Sequence, residues 1–281
     1  MSEAKTKRAG VIGWPVGQSL SPPMHAYWIA QYGIDAEYLP LGVPAEEFAG
    51  TIKSLPAKGF VGVNVTIPHK EAAYKLSTTL DDDARAAGAV NLLIFENENT
   101  HGCNTDAMGF SAALNEALGA GAAQAGPVVV LGAGGAARAV IVGLIKNGAK
   151  KIRIVNRTRA RGETLAQTFE SVNFEVFDWG DWQNAFADAG LLVNATSVGM
   201  AGKGALDIAL DTLPRAAGVA DIVYNPIETG LLRDAKARGH RTMDGLGMLM
   251  HQAVPAFAAW FGITPKVTAE LRNVLEEKLI G

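Results

Sequence analysis

Four consecutive apolar residues, Val128-Val129-Val130-Leu131, pass without a break into Gly132-Ala133-Gly134-Gly135-Ala136-Ala137 and then into a helical stretch. Few folds accommodate that order. A buried strand that feeds a helix through Gly-x-Gly-x-x-Ala is the phosphate-binding turn of a dinucleotide fold. Gly132 permits the tight turn, Gly134 lets the backbone approach a pyrophosphate, and Ala137 allows close packing of helix on strand. The helix amino terminus then offers its partial positive charge to the phosphates. A glycine-rich turn without a ligand competes with this reading for the motif alone; the flanking strand, helix and second strand weigh against it.

The second strand, Lys151 to Val155, ends in Asn156-Arg157-Thr158-Arg159-Ala160-Arg161. An NAD-selective chain carries an acidic residue there for the ribose hydroxyls, and none is present. Arg157 suits a 2′-phosphate, which a carboxylate would repel, so the expected cofactor is NADP. Arg161, about one helical turn on, can add a second contact. Thr158 either joins that contact or is only the helix N-cap. Further buried strands are expected over Phe174 to Phe177, Leu191 to Ser197 and Gly218 to Tyr224. The loop Val198 to Gly204 follows a strand's carboxyl end, where open α/β sheets bind ligands, and reads equally as a mobile lid or an ordinary glycine loop.

Strands and helices also alternate before this region. Val11 to Gly13, Tyr38 to Leu41, Val61 to Val65 and Val90 to Phe95 are strand-like, with helical stretches near 22–33, 44–54 and 69–75, an α/β pattern. Glu96 to Gly102 reads as a hairpin turn, Asp106 to Leu118 as a helix opened by an acidic residue, and Gly119 to Gly126 as a small-residue linker. Asn64, Thr66 and Lys70 gather at one strand's carboxyl end, because residues two apart share a face and Pro68 suits the first turn of the following helix. Lys70 is then either a surface lysine or an ammonium placed for use. Ser21-Pro22 resembles an N-cap and N1 pair. Ser19 and Ser21 in extended chain can meet a small carboxylate near that helix end, or Ser21 can serve as a plain cap. His25 reads as a packed core histidine more than as a ligand.

Composition narrows the classes. The chain of 281 residues is 48% hydrophobic and 19% charged, enough for two cores, and its net charge of -3 without a basic run argues against nucleic acid as a partner. A single cysteine, Cys103, precludes an internal disulfide and fits a reducing cytosol. The start is charged and lacks a signal peptide's apolar core. Gly245 to Gly262 is the greasiest stretch, but His251, Gln252 and Pro255 within it indicate a core helix instead of a membrane span. A cytoplasmic protein that engages no membrane is expected.

Taken together, Ser19-Leu20-Ser21-Pro22, Asn64 to Lys70, Gly88 to Asn91, Gly102 to Asp106, Gly132 to Ala137, Asn156-Arg157-Thr158, Asn194 to Ser197 and Gly245 to Leu249 resemble the shikimate dehydrogenase family over almost the whole chain. The resemblance implies a two-domain α/β enzyme. Residues 1–106 and 245–281 would form a substrate domain completed by carboxyl-terminal helices, facing across a cleft a Rossmann NADP-binding domain over 107–244. It implies reversible NADPH-linked reduction of 3-dehydroshikimate to shikimate, in aromatic amino-acid biosynthesis, with no metal required. Carried over, Ser19 and Ser21 would hold the substrate carboxylate with Tyr224 closing over that side, while Asn64, Thr66, Asn91 and Gln252 would surround the ring with Lys70 and Asp106. Lys70 and Asp106 would form a coupled acid/base unit. On the cofactor side the resemblance points to Gly132, Ala133, Gly134, Gly135, Ala136, Asn156, Arg157, Thr158, Arg161, Thr196, Ile222 and Gly245, and with less to support it to Asp82.

Two positions depart from the family wording: Leu92 follows Asn91 where threonine is common, and Ala107 follows Asp106 where glycine is common. They leave the ring substituents less sharply defined. A quinate/shikimate dehydrogenase is the rival within the enzymes, and a noncatalytic shikimate or quinate sensor the rival outside them. Arg157 and the serine pair weigh against the first, Lys70 and Asp106 against the second. Monomer and homodimer both fit.

Overall fold

The computed structural model describes residues 6–170 and 172–280, the side chain at 280 excepted. The chain divides into two compact units, Met1–Thr105 with Gln252–Gly281, and Asp106–His251.

The first unit is built on a mixed six-stranded sheet. In chain order its elements are β1 (Lys7–Gly13), α1 (Ser21–Tyr32), β2 (Ala36–Gly42), α2 (Phe48–Ser54), β3 (Gly62–Val65), α3 (Lys70–Leu76), β4 (Thr79–Leu80), α4 (Asp82–Ala87), β5 (Leu92–Glu96) and β6 (Asn99–Cys103). The strand order is β2-β1-β3-β5-β6-β4, parallel across β2, β1 and β3 and antiparallel from β3 through β5 to β6. One face packs on Phe48, Ile52, Leu55 and Ala73, which join Ile12, Val63, Val65 and Leu93 in one cluster. Elsewhere Met24, His25 and Trp28 line the buried side of α1, at the spacing of a helix stripe, with His25 5.8 Å from Phe257 and Trp260. Gly33, at φ 61°, closes α1 in the left-handed conformation that lets its amide reach Ala30 and Ile29.

The second unit is an open, wholly parallel sheet. Helix α5 (Asp106–Leu118) leads into β7 (Val128–Leu131), α6 (Gly135–Lys146), β8 (Lys151–Asn156), α7 (Arg159–Ala166), β9 (Asn173–Asp178), α8 (Trp182–Phe186), β10 (Leu191–Asn194), β11 (Gly218–Asp221), α9 (Gly230–Ala237) and β12 (Thr242–Met243). The order β12-β11-β10-β7-β8-β9 runs outward in both directions from β7, which is the Rossmann arrangement with its switch point between β7 and β10. Side chains of β7 alternate with period two. Val128 and Val130 join Phe110, Leu114, Val140 and Ile141, whereas Val129 and Leu131 join Phe186, Leu213, Leu231 and Leu232. Both faces are covered, so β7 reads as a continuous apolar run. Arg153 of β8 is 7% exposed and is paired with Glu175, its register partner on β9, and with Asp188. The chain then runs through α10 (Gly245–Phe261) to α11 (Ala269–Ile280). No helix among the described residues is long and apolar enough to cross a membrane.

Several local expectations need correction. Ser21 is the first residue of α1 and not its N-cap: Leu20 holds that place, without a side-chain cap bond. Pro68 lies in the turn before α3, and Lys70 is the first helical residue. The hairpin turn is only two residues, with Asn97 at φ 55°, so Asn99 to Cys103 is strand. Phe174 to Phe177 belongs to β9, which is half-buried because it is the sheet's edge. Gly119 to Gly126 is not a linker between the units, since it lies within the second unit and Ala122 and Ala123 pack into its core.

Candidate active site

In the first unit the strand β3 delivers Asn64 to the sheet's carboxyl end, 6% exposed, with Thr66 two residues on. The Asn64 amide donates to the Asn91 carbonyl at 3.2 Å, and its oxygen accepts from the Tyr38 hydroxyl at 2.8 Å. Asn91, 3% exposed, accepts from the Thr105 backbone N–H at 2.8 Å and donates to Thr105 Oγ1 at 3.0 Å and Gln252 Oε1 at 3.4 Å. Lys70 is half-buried, and its carbonyl accepts from the Val90 amide at 3.0 Å, so the first residue of α3 is tied to the residue preceding Asn91. Ser19 Oγ accepts from the Ser21 backbone N–H at 3.2 Å, and the Ser21 side chain is buried within reach of Tyr38.

One connected set of hydrogen bonds therefore holds Tyr38, Asn64, Asn91 and Gln252. Two members, Tyr38 and Thr105, were not singled out from sequence. Burial pushes the Tyr38 phenol well above its usual value, and the Ser21 hydroxyl pulls it partly back. Thr66 is placed by backbone bonds, its amide to the Ile12 carbonyl at 2.9 Å and its carbonyl to the His69 amide at 2.9 Å. Asp82 stands apart, an exposed first residue of α4 that meets Arg85 at 3.5 Å. Asp81, not Asp82, caps that helix, and it also accepts from the Asn104 amide at 3.3 Å. Beside it Cys103 is half-buried, and its thiol is pushed up to about 12 by burial first and by Asp81 second.

In the second unit a pocket of about 490 Å³ opens at the switch point. Gly132, Ala133, Gly134, Asn156, Arg157, Arg161 and Thr196 line it, seven of the residues expected on the cofactor side. Gly132 has φ 102°, and a Cβ there would lie 2.9 Å from Thr196 Cγ2, so any other residue is excluded by conformation and by space. Gly134 is the N-cap of α6 with no side-chain cap, and Gly135 and Ala136 after it are exposed, leaving first-turn amides open to an anion. Arg157 and Arg161 are exposed and have no carboxylate partner among the described residues, unlike Arg153 and Arg159. Thr158 occupies the N-cap position of α7 without using its hydroxyl to cap. These features fit a dinucleotide with a 2′-phosphate.

Thr196 is held by a buried network that sequence reading missed. Its hydroxyl donates to Asn194 Oδ1 at 2.7 Å; Asn194 donates to Asp221 Oδ1 at 2.9 Å; and Asp221 also accepts from Thr229 at 2.7 Å and the Val223 amide at 3.0 Å. Burial raises the Asp221 carboxyl to about 6 against those three donors. Ile222 and Gly245 are brought together: a Cβ on Gly245 would sit 2.2 Å from the Ile222 carbonyl oxygen. Tyr224, just beyond β11, is partly buried, which raises its phenol. Asp106 opens α5 directly after Thr105. Trp179 and Asp207 also line the pocket, with no motif in sequence to mark them.

Two family profiles match the chain, one described as shikimate dehydrogenase substrate binding domain over residues 11–93 and one as shikimate / quinate 5-dehydrogenase over residues 117–201. The shikimate dehydrogenase (NADP(+)) of Methylocella silvestris is 49% identical over 273 residues, covering 97% of each chain. A crystal structure of shikimate 5-dehydrogenase from Thermus thermophilus in complex with NADP(H) and shikimate superimposes with TM-score 0.85 at 36% identity, covering 98% of each chain. Quinate dehydrogenase from Corynebacterium glutamicum in complex with NAD gives TM-score 0.84 at 30% identity, over 98% of this chain and 99% of that one.

Proposed function

The chain belongs to the shikimate dehydrogenase family, and on that premise we propose that it interconverts shikimate and 3-dehydroshikimate with NADP, using Lys70 and Asp106 to handle the proton. The observation that carries the cofactor choice is the pocket lined by Arg157 and Arg161, with Asn156 instead of an acid at the end of β8 where a carboxylate would repel a 2′-phosphate.

Gly132 to Ala136 would cradle the pyrophosphate, Asn156 to Arg161 the 2′-phosphate, and Thr196, Ile222 and Gly245 the rest of the nucleotide. The bound nicotinamide supplies the hydride chemistry. Everything else falls to side chains. Oxidising a secondary alcohol removes a proton from oxygen as the carbon gives up hydride, and reduction of the ketone returns it, so one group must serve as base in one direction and acid in the other. Lys70 suits that double role, being half-buried on a helix tied to the segment that carries Asn91. Asp106 is assigned as the carboxylate of the pair. Ser19 and Ser21 receive the substrate carboxylate, Asn64, Thr66, Asn91 and Gln252 the ring hydroxyls, and Tyr224 covers the carboxylate side. The shared hydrogen bonds of Asn64, Asn91 and Gln252 support grouping them. Asp82, exposed and paired with Arg85, is the weakest cofactor candidate.

A single absorbance assay tests the reading. Shikimate with NADP should form NADPH, while quinate with NAD should react far more slowly; faster reaction of the second pair would transfer the chain to the quinate-preferring enzymes. Binding of shikimate without NADPH formation would make it a sensor. Cytoplasmic location and a monomeric or dimeric state are part of the same proposal.

A further inference from the structure

Tyr38 is buried, 8% exposed, on β2, and its hydroxyl reaches Asn64, one of the residues proposed to hold the substrate. The direction of its bond to Asn64 follows from the next neighbour. Asn64 Nδ2 donates to the Asn91 carbonyl at 3.2 Å, and turning the amide over would set oxygen against oxygen there. Asn64 therefore offers Oδ1 to Tyr38, and the phenol is the donor at 2.8 Å. The phenolic oxygen keeps its accepting capacity, and the Ser21 side chain lies within reach of it. Donation thus runs one way, from Tyr38 through Asn64 to the Asn91 carbonyl.

The ring that carries this hydroxyl cannot swing. It lies flat on the imidazole of His25, centroids 3.9 Å apart and planes within 5°, with Trp260 at 6.1 Å. Its register partner is Ala9 of the central strand β1, whose small side chain is fully buried. A phenol held so rigidly acts as a fixed post.

We infer that Tyr38 is a positioning residue for substrate binding, locking the amide of Asn64 in one orientation. The inference rests on the proposed role of Asn64 in holding the substrate. Without the phenolic proton, Asn64 Oδ1 is buried with no donor, and the amide is released to turn over; the donor it would present to a ring hydroxyl is then no longer fixed. Catalytic proton transfer, which falls to Lys70 and Asp106, should be little affected.

The test is Tyr38→Phe, which keeps the stack on His25 and removes only the hydroxyl. Calorimetry should show shikimate binding weakened about five- to tenfold, with KM for shikimate rising alike, kcat within about threefold and KM for NADP unchanged. In an Asn64→Ala background the same substitution should change shikimate affinity by less than about twofold, because the group it positions is gone. Unchanged affinity in the single variant would overturn the inference, as would an equal loss in both backgrounds. So would a fall in kcat and NADP affinity in step with the melting temperature, the mark of a structural role alone. Wild-type protein separates the two claims: binding of shikimate without turnover ends the dehydrogenase reading but leaves the affinity test intact, whereas no binding at all ends both.

Discussion

His25 and Tyr38 lie face to face, ring centroids 3.9 Å apart, inside an aromatic cluster that includes Trp28, Phe257 and Trp260. Neither nitrogen of His25 has a hydrogen-bond partner among the described residues, and burial lowers its pKa from 6.5 to about 3. Between those values the unfolded chain binds a proton that the folded chain does not, so the stability linked to His25 is complete above pH 6.5 and drains away as pH falls toward 3. The gap is worth up to about 5 kcal/mol at about 1.4 kcal/mol per pH unit. His25→Phe should flatten the acid limb of the stability curve. Urea unfolding from pH 7 to pH 4 checks this, and equal acid sensitivity in both proteins would refute it.

Lys70→Ala should cut kcat by about 100-fold or more, the usual worth of a positioned acid or base, and shift KM for shikimate much less. Steady-state kinetics decide the point. Turnover near that of the wild type would remove Lys70 from the proton path.

Arg157→Asp should raise KM for NADP by about 30-fold or more, since a charge-assisted pair becomes a repulsive one, while KM for NAD moves by less than about threefold. Matching losses for the two cofactors would show that Arg157 does not read the 2′-phosphate.

Gly62→Ala should destabilise the first unit by about 2–4 kcal/mol through overpacking and a broken hydrogen bond. A Cβ at Gly62 would fall 2.1 Å from Trp260 Nε1 and 2.2 Å from the Leu93 carbonyl oxygen, the two atoms that bond each other at 3.2 Å. A drop in the urea midpoint at constant slope is the expected signature.

What could be read from sequence was local. The Gly132 to Ala137 turn, the helix over Asp106 to Leu118 and the strand leading to Asn64 each follow from a few adjacent residues. Ser21 misled for the same reason: Ser-Pro is a good capping pair, yet the helix starts one residue earlier and Leu20 takes the N-cap place. The missed features are non-local. Asn194 and Asp221 meet because β10 and β11 pair in register, 27 residues apart in sequence, and no period within either strand announces that pairing. Tyr38 could have been suspected only as an inward-facing polar aromatic on a short strand; its partners come from α1 and β3.

Cys103 is the protein's sole cysteine, and a thiol titrating at about 12 carries almost no thiolate at neutral pH. Maleimide dyes should therefore leave the native chain nearly unmarked. A cysteine engineered at an exposed site such as Met200, 37% accessible, would take the label alone, so fluorescence probes can be attached without first removing the natural thiol.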